Sequence, residues 1–140
     1  MKAALYAIAA ALSAGLAQPG VAAASGIDAQ LSRYAAQARA ADAGFAGFSV
    51  ERGAQLHTQR FAGGKPDTPA CASCHGADPA KAGKTRTGKE IAPMALSASP
   101  ARYADEAKVE KWFGRNCREV MGRECTPLEK GDWLSFMRAR

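Results

Sequence analysis

The chain has 140 residues, with 19 Lys and Arg against 13 Asp and Glu and a formal net charge of +6. A chain this short forms one small domain with a modest core, the kind that needs a staple or a cofactor. Its positive excess argues weakly for an acidic protein partner and hardly at all for nucleic acid, and a purely solubilising role accounts for it equally well.

The opening stretch MKAALYAIAAALSAGLAQPGVAAASG carries one early cation, Lys2, then a short Ala- and Leu-rich run, then Ala22 and Ala24 in an A-x-A arrangement. It reads as a secretory signal peptide over residues 1–24, leaving one domain over 25–140. Ser13, Gly15, Gln18, Pro19 and Gly20 leave no unbroken apolar span of about 18 residues, so a retained membrane anchor is not expected. The protein is therefore expected in the periplasm and not embedded in the membrane once the signal is cleaved.

In DAQLSRYAAQARAAD, Leu31, Tyr34, Ala35 and Ala38 fall at helical spacing, and AGFAGF at 43–48 ends that helix. A second helix, SVERGAQLHTQRF, starts at Ser49 as N-cap and stops at the pair Gly63 and Gly64. From Lys65 to Pro100 the prolines 66, 69, 79, 93 and 100 predict mostly loop. ADEAKVEKWFGRN then places Val109, Trp112 and Phe113 on one helical face, with Gly114 weakening the helix end. The last helix begins with Thr126 as cap, Pro127 at the first position and Glu129 completing a capping box, and its apolar face is Leu128, Trp133, Leu134, Phe136 and Met137. No useful strand alternation occurs. The expected fold is all-α, short helices and long loops packed around a cofactor.

CASCHG at 71–76 names that cofactor, because C-x-x-C-H is the pattern of covalent haem c attachment. Two thiols, Cys71 and Cys74, add across the haem vinyl groups, and the next side chain, His75, is carried beneath the iron as proximal ligand. A thioredoxin-like dithiol would need a βαβ setting, and a zinc site would need two more ligands at finger-like spacing, which Cys117 and Cys125 fit poorly. Pro93 in EIAPM is the candidate carbonyl for the other ring nitrogen of His75. Arg86 and Lys89 are candidates for the haem propionates, and Trp112 and Phe113 for the haem face.

The sixth position is harder to assign. Met94 follows Pro93 and is expected on the wrong side, and Met137 lies within the last helix as core filler. His57 is expected to pack or hydrogen-bond between helices. Cys117 and Cys125 form an even set once haem takes the other two, and an oxidising compartment favours their disulfide. Asn116, 41 positions beyond His75, and Met121 remain; spacing alone leaves them even.

The order of these features resembles class I cytochromes c: a helix with Gly53, the CASCHG site, a proline-bearing loop and an aromatic C-terminal helix. In that fold the first and last helices cross closely, so Gly53 would let Trp133 or Phe136 approach its backbone. GGKPDTPACASCHGAD, RTGKEIAPMALSASPARY, VEKWFGRNC and GRECTP are more specifically similar to the sphaeroides haem protein family, from about residue 50 to the end. That resemblance implies Asn116 as sixth ligand, lost on reduction so that small diatomics (O2, NO, CO) bind ferrous iron. It also implies electron exchange with a dihaem cytochrome c. His57 departs from class I cytochromes, which commonly carry an aromatic there. A binding and electron-transfer protein is expected, not an enzyme, since Arg115 and Arg118, the nearest candidates for distal acid–base work, read as surface residues. The competing expectation is a His/Met shuttle using Met121.

Overall fold

The computed structural model describes residues 26–140, so the expected signal peptide lies outside the described residues. In chain order the elements are α1 (Gly26–Ala41), α2 (Val50–Thr58), α3 (Ala72–His75), a hairpin of β1 (Gly83–Lys84) and β2 (Glu90–Ile91), a 3₁₀ turn (Pro100–Tyr103), α4 (Glu106–Met121) and α5 (Pro127–Arg138). The all-α class holds; the two-residue strands pair antiparallel, Gly83 opposite Ile91.

Local chemistry starts the helices where expected. Ser49 caps α2 by accepting from the Arg52 amide, and Thr126 and Glu129 form the reciprocal capping box that opens α5. α5 is the hub, crossing both α1 and α2, with Trp133, Leu134, Phe136 and Met137 buried against Ile27, Leu31 and Tyr34. The α2–α5 crossing is close because Gly53 has no side chain: a Cβ there would lie 2.1 Å from the Asp132 carbonyl oxygen and 2.9 Å from Phe136 Cβ. Beside it the buried Asp132 carboxylate accepts from Arg52 Nε at 2.7 Å, Arg52 Nη2 at 2.8 Å and the Ser49 amide at 2.7 Å. Such multiply bonded geometry is what makes a buried charge tolerable.

Three expectations need correction. α2 stops at Thr58, and Gly63 and Gly64 do not end a helix; they let the following loop press on the last turn of α4, where Cβ atoms would meet the carbonyl oxygens of Met121 at 2.6 Å and Glu119 at 2.3 Å. α4 runs on past Gly114 to Met121 and ends at Gly122, whose φ of 73° is the left-handed stop signal. Glycine inside a helix costs about 1 kcal/mol, and contacts at both ends of α4 outweigh that. Leu128, assigned to the apolar face of α5, is 38% exposed.

Candidate haem site

Cys71 precedes α3 as its N-cap residue and Cys74 follows three positions later, so one helical turn brings both free thiols to the same side. Burial pushes the Cys71 thiol up to about 11, and burial together with the Glu119 charge raises Cys74. Both are protonated at neutral pH, so reactivity here comes from placement and not from thiolate character. His75 closes the same turn. Burial, then repulsion from His57 when it is protonated and from Arg102, lower its pKa to about 4, so its ring is the neutral base that a metal requires.

α3 forms one side of a cavity of about 1160 Å³. The opposing residues come from α4, where Val109, Trp112, Phe113, Asn116 and Val120 recur every three or four positions and all line the cavity. Within His75, Nδ1 is buried and has no hydrogen-bond partner, while Nε2 is not closed off in this way. His75 lines the cavity, and Nε2 is the ring nitrogen left accessible to an iron. Two free thiols on one face, a neutral imidazole in the lining and a largely apolar chamber of this size fit a haem c. The Nδ1 orphan also means that the Pro93 carbonyl, expected to hold it, does not do so in this structure.

Most of the charged residues lining the cavity are cationic: Lys65, Arg86, Arg102, Lys108 and Arg115, against Glu119 alone among the acids of the described residues. Arg86 reaches the cavity as expected but is paired with Asp67 at 2.7 Å. Lys89 does not reach it; it is exposed beside the hairpin turn, its amide bonded to Thr85 Oγ1. Arg102, Lys108 and Arg115, which the sequence did not single out for the propionates, also line the cavity. The available signal was the spacing of Lys108, Trp112 and Arg115, which repeats the cavity face of α4, and Arg115, read as a surface residue, lines the cavity 5.5 Å from the Trp112 ring centroid. Arg118 is a surface residue, bonded to the Gly114 carbonyl and to Glu124.

The distal candidates separate. Cys117 and Cys125 form a disulfide, with Cα atoms 5.6 Å apart, so neither is a free thiolate. Met137 is fully buried in the core, as expected. Met94 lines the cavity, with its carbonyl accepting from Tyr103 Oη. Asn116 is half-buried, is the only carboxamide residue lining the cavity among the described residues, and has no hydrogen-bond partner there. Met121 also lines the cavity, buried with its sulfur 3.4 Å from Cys125 Sγ.

Fold and site together define a c-type cytochrome with one covalently attached haem. A family described as "Domain of unknown function (DUF1924)" matches residues 43–137. The cytochrome c-type protein SHP of Cereibacter sphaeroides is 59% identical over 91 residues, covering 65% of this chain and 70% of that protein. Cytochrome c'' of Methylophilus methylotrophus is 36% identical over 90 residues, covering 64% of this chain and 62% of its own length. Among solved structures, oxidised SHP, described as an oxygen-binding cytochrome c, superposes with a TM-score of 0.75 at 51% identity, covering 81% of this chain and 96% of that one. Oxidised cytochrome c'' follows at 0.72 and 31%, covering 80% and 92%. The chain belongs to the sphaeroides haem protein family.

Proposed function

We propose that this cytochrome is a redox-gated binding protein: His75 and Asn116 hold ferric iron, and Asn116 withdraws on reduction, opening the cavity to small diatomics. The haem, when bound, supplies a one-electron iron centre with a sixth position open to O2, NO or CO. Everything else falls to this chain. Cys71 and Cys74 fix the group covalently, His75 donates its neutral ring nitrogen, and Arg102, Lys108 and Arg115 supply cations for the propionates.

The observation that carries the reading is the uncommitted carboxamide of Asn116 on the cavity face of α4. An amide oxygen is a hard, neutral donor, adequate for ferric iron and poor for ferrous. With no hydrogen bond to break elsewhere, its side chain is free to rotate away without moving the helix. The description of the SHP structure as an oxygen-binding cytochrome c supports the diatomic-binding part of this reading. Export to the periplasm fits both the leader-like start and an oxidising compartment for the disulfide; no helix among the described residues is long and apolar enough to cross a membrane. The electron partner is a protein with an acidic docking face, a dihaem cytochrome c by resemblance, and turnover at the iron is not part of the assignment.

Carbon monoxide tests it. Added to the reduced holoprotein, the gas should form a complete adduct rapidly. A six-coordinate ferrous spectrum indifferent to the gas, with a sulfur-to-iron near-infrared band in the ferric form, would replace the reading with a His/Met shuttle through Met121.

A further inference from the structure

We infer that His57 is a positioning residue for the proximal ligand: anchored by the indole of Trp133, its ring holds the carbonyl of Gly76 and so fixes the turn that aims His75 into the haem cavity. It rests on the reading of His75 as an axial ligand and extends it to a second histidine, which lies outside the cavity lining.

His57 sits on α2 and is fully buried. Both ring nitrogens are engaged, and the partners leave one protonation pattern. Trp133 Nε1, which can only donate, lies 3.2 Å from Nδ1, so Nδ1 accepts. The Gly76 carbonyl oxygen, which can only accept, lies 2.7 Å from Nε2, so Nε2 carries the hydrogen and donates. An imidazolium would set an N–H against the Trp133 N–H. The rings of Phe136 and Trp133, with centroids 5.7 and 6.2 Å away, leave the imidazole no room to turn over freely.

The place where this chain of bonds ends gives it a role. α3 is a single turn, too short to hold its own shape, because the first helical turn is paid for with few hydrogen bonds. Cys71 just before its first residue and Cys74 within it carry the thiols that would tie the turn to a haem. Its end is Gly76, directly after His75, with φ 73° and ψ 165°, a conformation that only glycine adopts readily. A Cβ at that position would meet nothing within 4 Å, so the glycine serves the backbone turn and not a close contact. His57 pins the carbonyl of that turn to α2, and Trp133 pins His57 to α5. The proximal ligand is thereby referred to the rigid helix crossing and not to the loop that carries it. A phenylalanine would fill the same volume, as aromatics do at this position in class I cytochromes, but would hold nothing.

The test uses the holoprotein, with the hyperfine-shifted proton resonances of the ferric axial histidine and the reduction potential as readouts. A residue that only fills space moves neither. His57→Phe should fold, shift both, and release the axial histidine at lower denaturant; His57→Gln, which keeps an N–H within reach of Gly76, should return both toward wild type. Wild-type values in His57→Phe overturn the proposal. If His57→Phe fails to fold, Trp133→Phe decides: the ring keeps its Nε2–H toward Gly76 but loses its anchor on α5, so the axial resonances broaden or shift, whereas one unchanged set overturns the proposal. Absence of axial-histidine resonances from the wild type itself would instead remove the reading on which this rests.

Discussion

Asn116 and Met121 both line the cavity, yet they are five residues apart on one helix. At 3.6 residues per turn they point about 140° apart, so the two cannot face the same point without unwinding α4. Asn116 shares its direction with Trp112, Phe113 and Val120, which also line the chamber, while Met121 is turned toward the disulfide, its sulfur 3.4 Å from Cys125 Sγ. Replacing Asn116 by Ala should therefore leave ferric iron without its protein sixth ligand, seen as a high-spin absorption spectrum, while carbon monoxide uptake by the reduced form persists. Met121→Leu, which keeps the volume, should alter neither; a high-spin ferric form in that variant and not in the first would reverse the assignment. The sequence left these two residues even because it placed the helix end near Gly114. Once the helix continues, rotation about its axis separates them, and that is information no spacing count contains.

α4 carries Asn116, the proposed distal ligand, between two anchors. Near its start, Glu110 accepts from Tyr34 and from Arg33 at 2.7 Å on α1, and from Lys130 at 2.8 Å on α5. Burial alone would push the Glu110 carboxyl up, but these donors outweigh it and hold it near 2, below its ordinary value of 4.5. A depressed carboxyl pKa stabilises the fold above the unfolded value and loses that contribution as pH falls toward the folded value. Acid should accordingly weaken the protein between about 4.5 and 2, and Glu110→Gln should be less stable at neutral pH with a flatter dependence across that window, read from denaturant midpoints. The group is only partly buried, so solvent screens the effect. At the far end the Lys65 amide donates to the Glu119 carbonyl at 2.7 Å, and the Cys117–Cys125 disulfide closes the turn into α5. Converting both cysteines to Ser should cost roughly 2 to 3 kcal/mol on the chain-entropy estimate, measured by equilibrium unfolding of the holoprotein without reductant. The helix starts at Ser49 and Thr126 were legible because a cap is written in four adjacent residues. Gly63, Gly64 and Gly114 misled because a glycine reads locally as a breaker, while its use here depends on what packs against it from elsewhere in the chain.

At the scale of the molecule, charge and cavity coincide. The cations lining the chamber come from the loop before α3, the hairpin, the 3₁₀ turn and α4, segments that only the fold assembles, which is why the sequence singled out Arg86, which lines it, together with Lys89, which does not. Asp67 and Glu119 pair with Arg86 and Lys65, leaving Arg102, Lys108 and Arg115 for anionic groups. Haem propionates would take part of that charge and cleavage of the expected signal peptide would remove Lys2 from the chain's net +6, yet the balance would stay positive. The field around the site should therefore attract anions. An anionic small-molecule reductant should reach the iron faster than a cationic one of similar driving force at low salt. The gap should close as salt rises, since the screening length falls from about 10 Å at 0.1 M to about 3 Å at 1 M. Lys111, exposed on α4 and outside the chamber lining, is the residue to reverse. Lys111→Glu should shrink the advantage of the anionic reagent at low salt and leave the high-salt rates unchanged, because steering acts on encounter and not on the electron step. Stopped-flow rates with both reagents across a salt series measure this directly. Equal salt slopes for the two reagents in the wild type would show that the cations are consumed within the site, and an acidic docking partner would then have no field to follow.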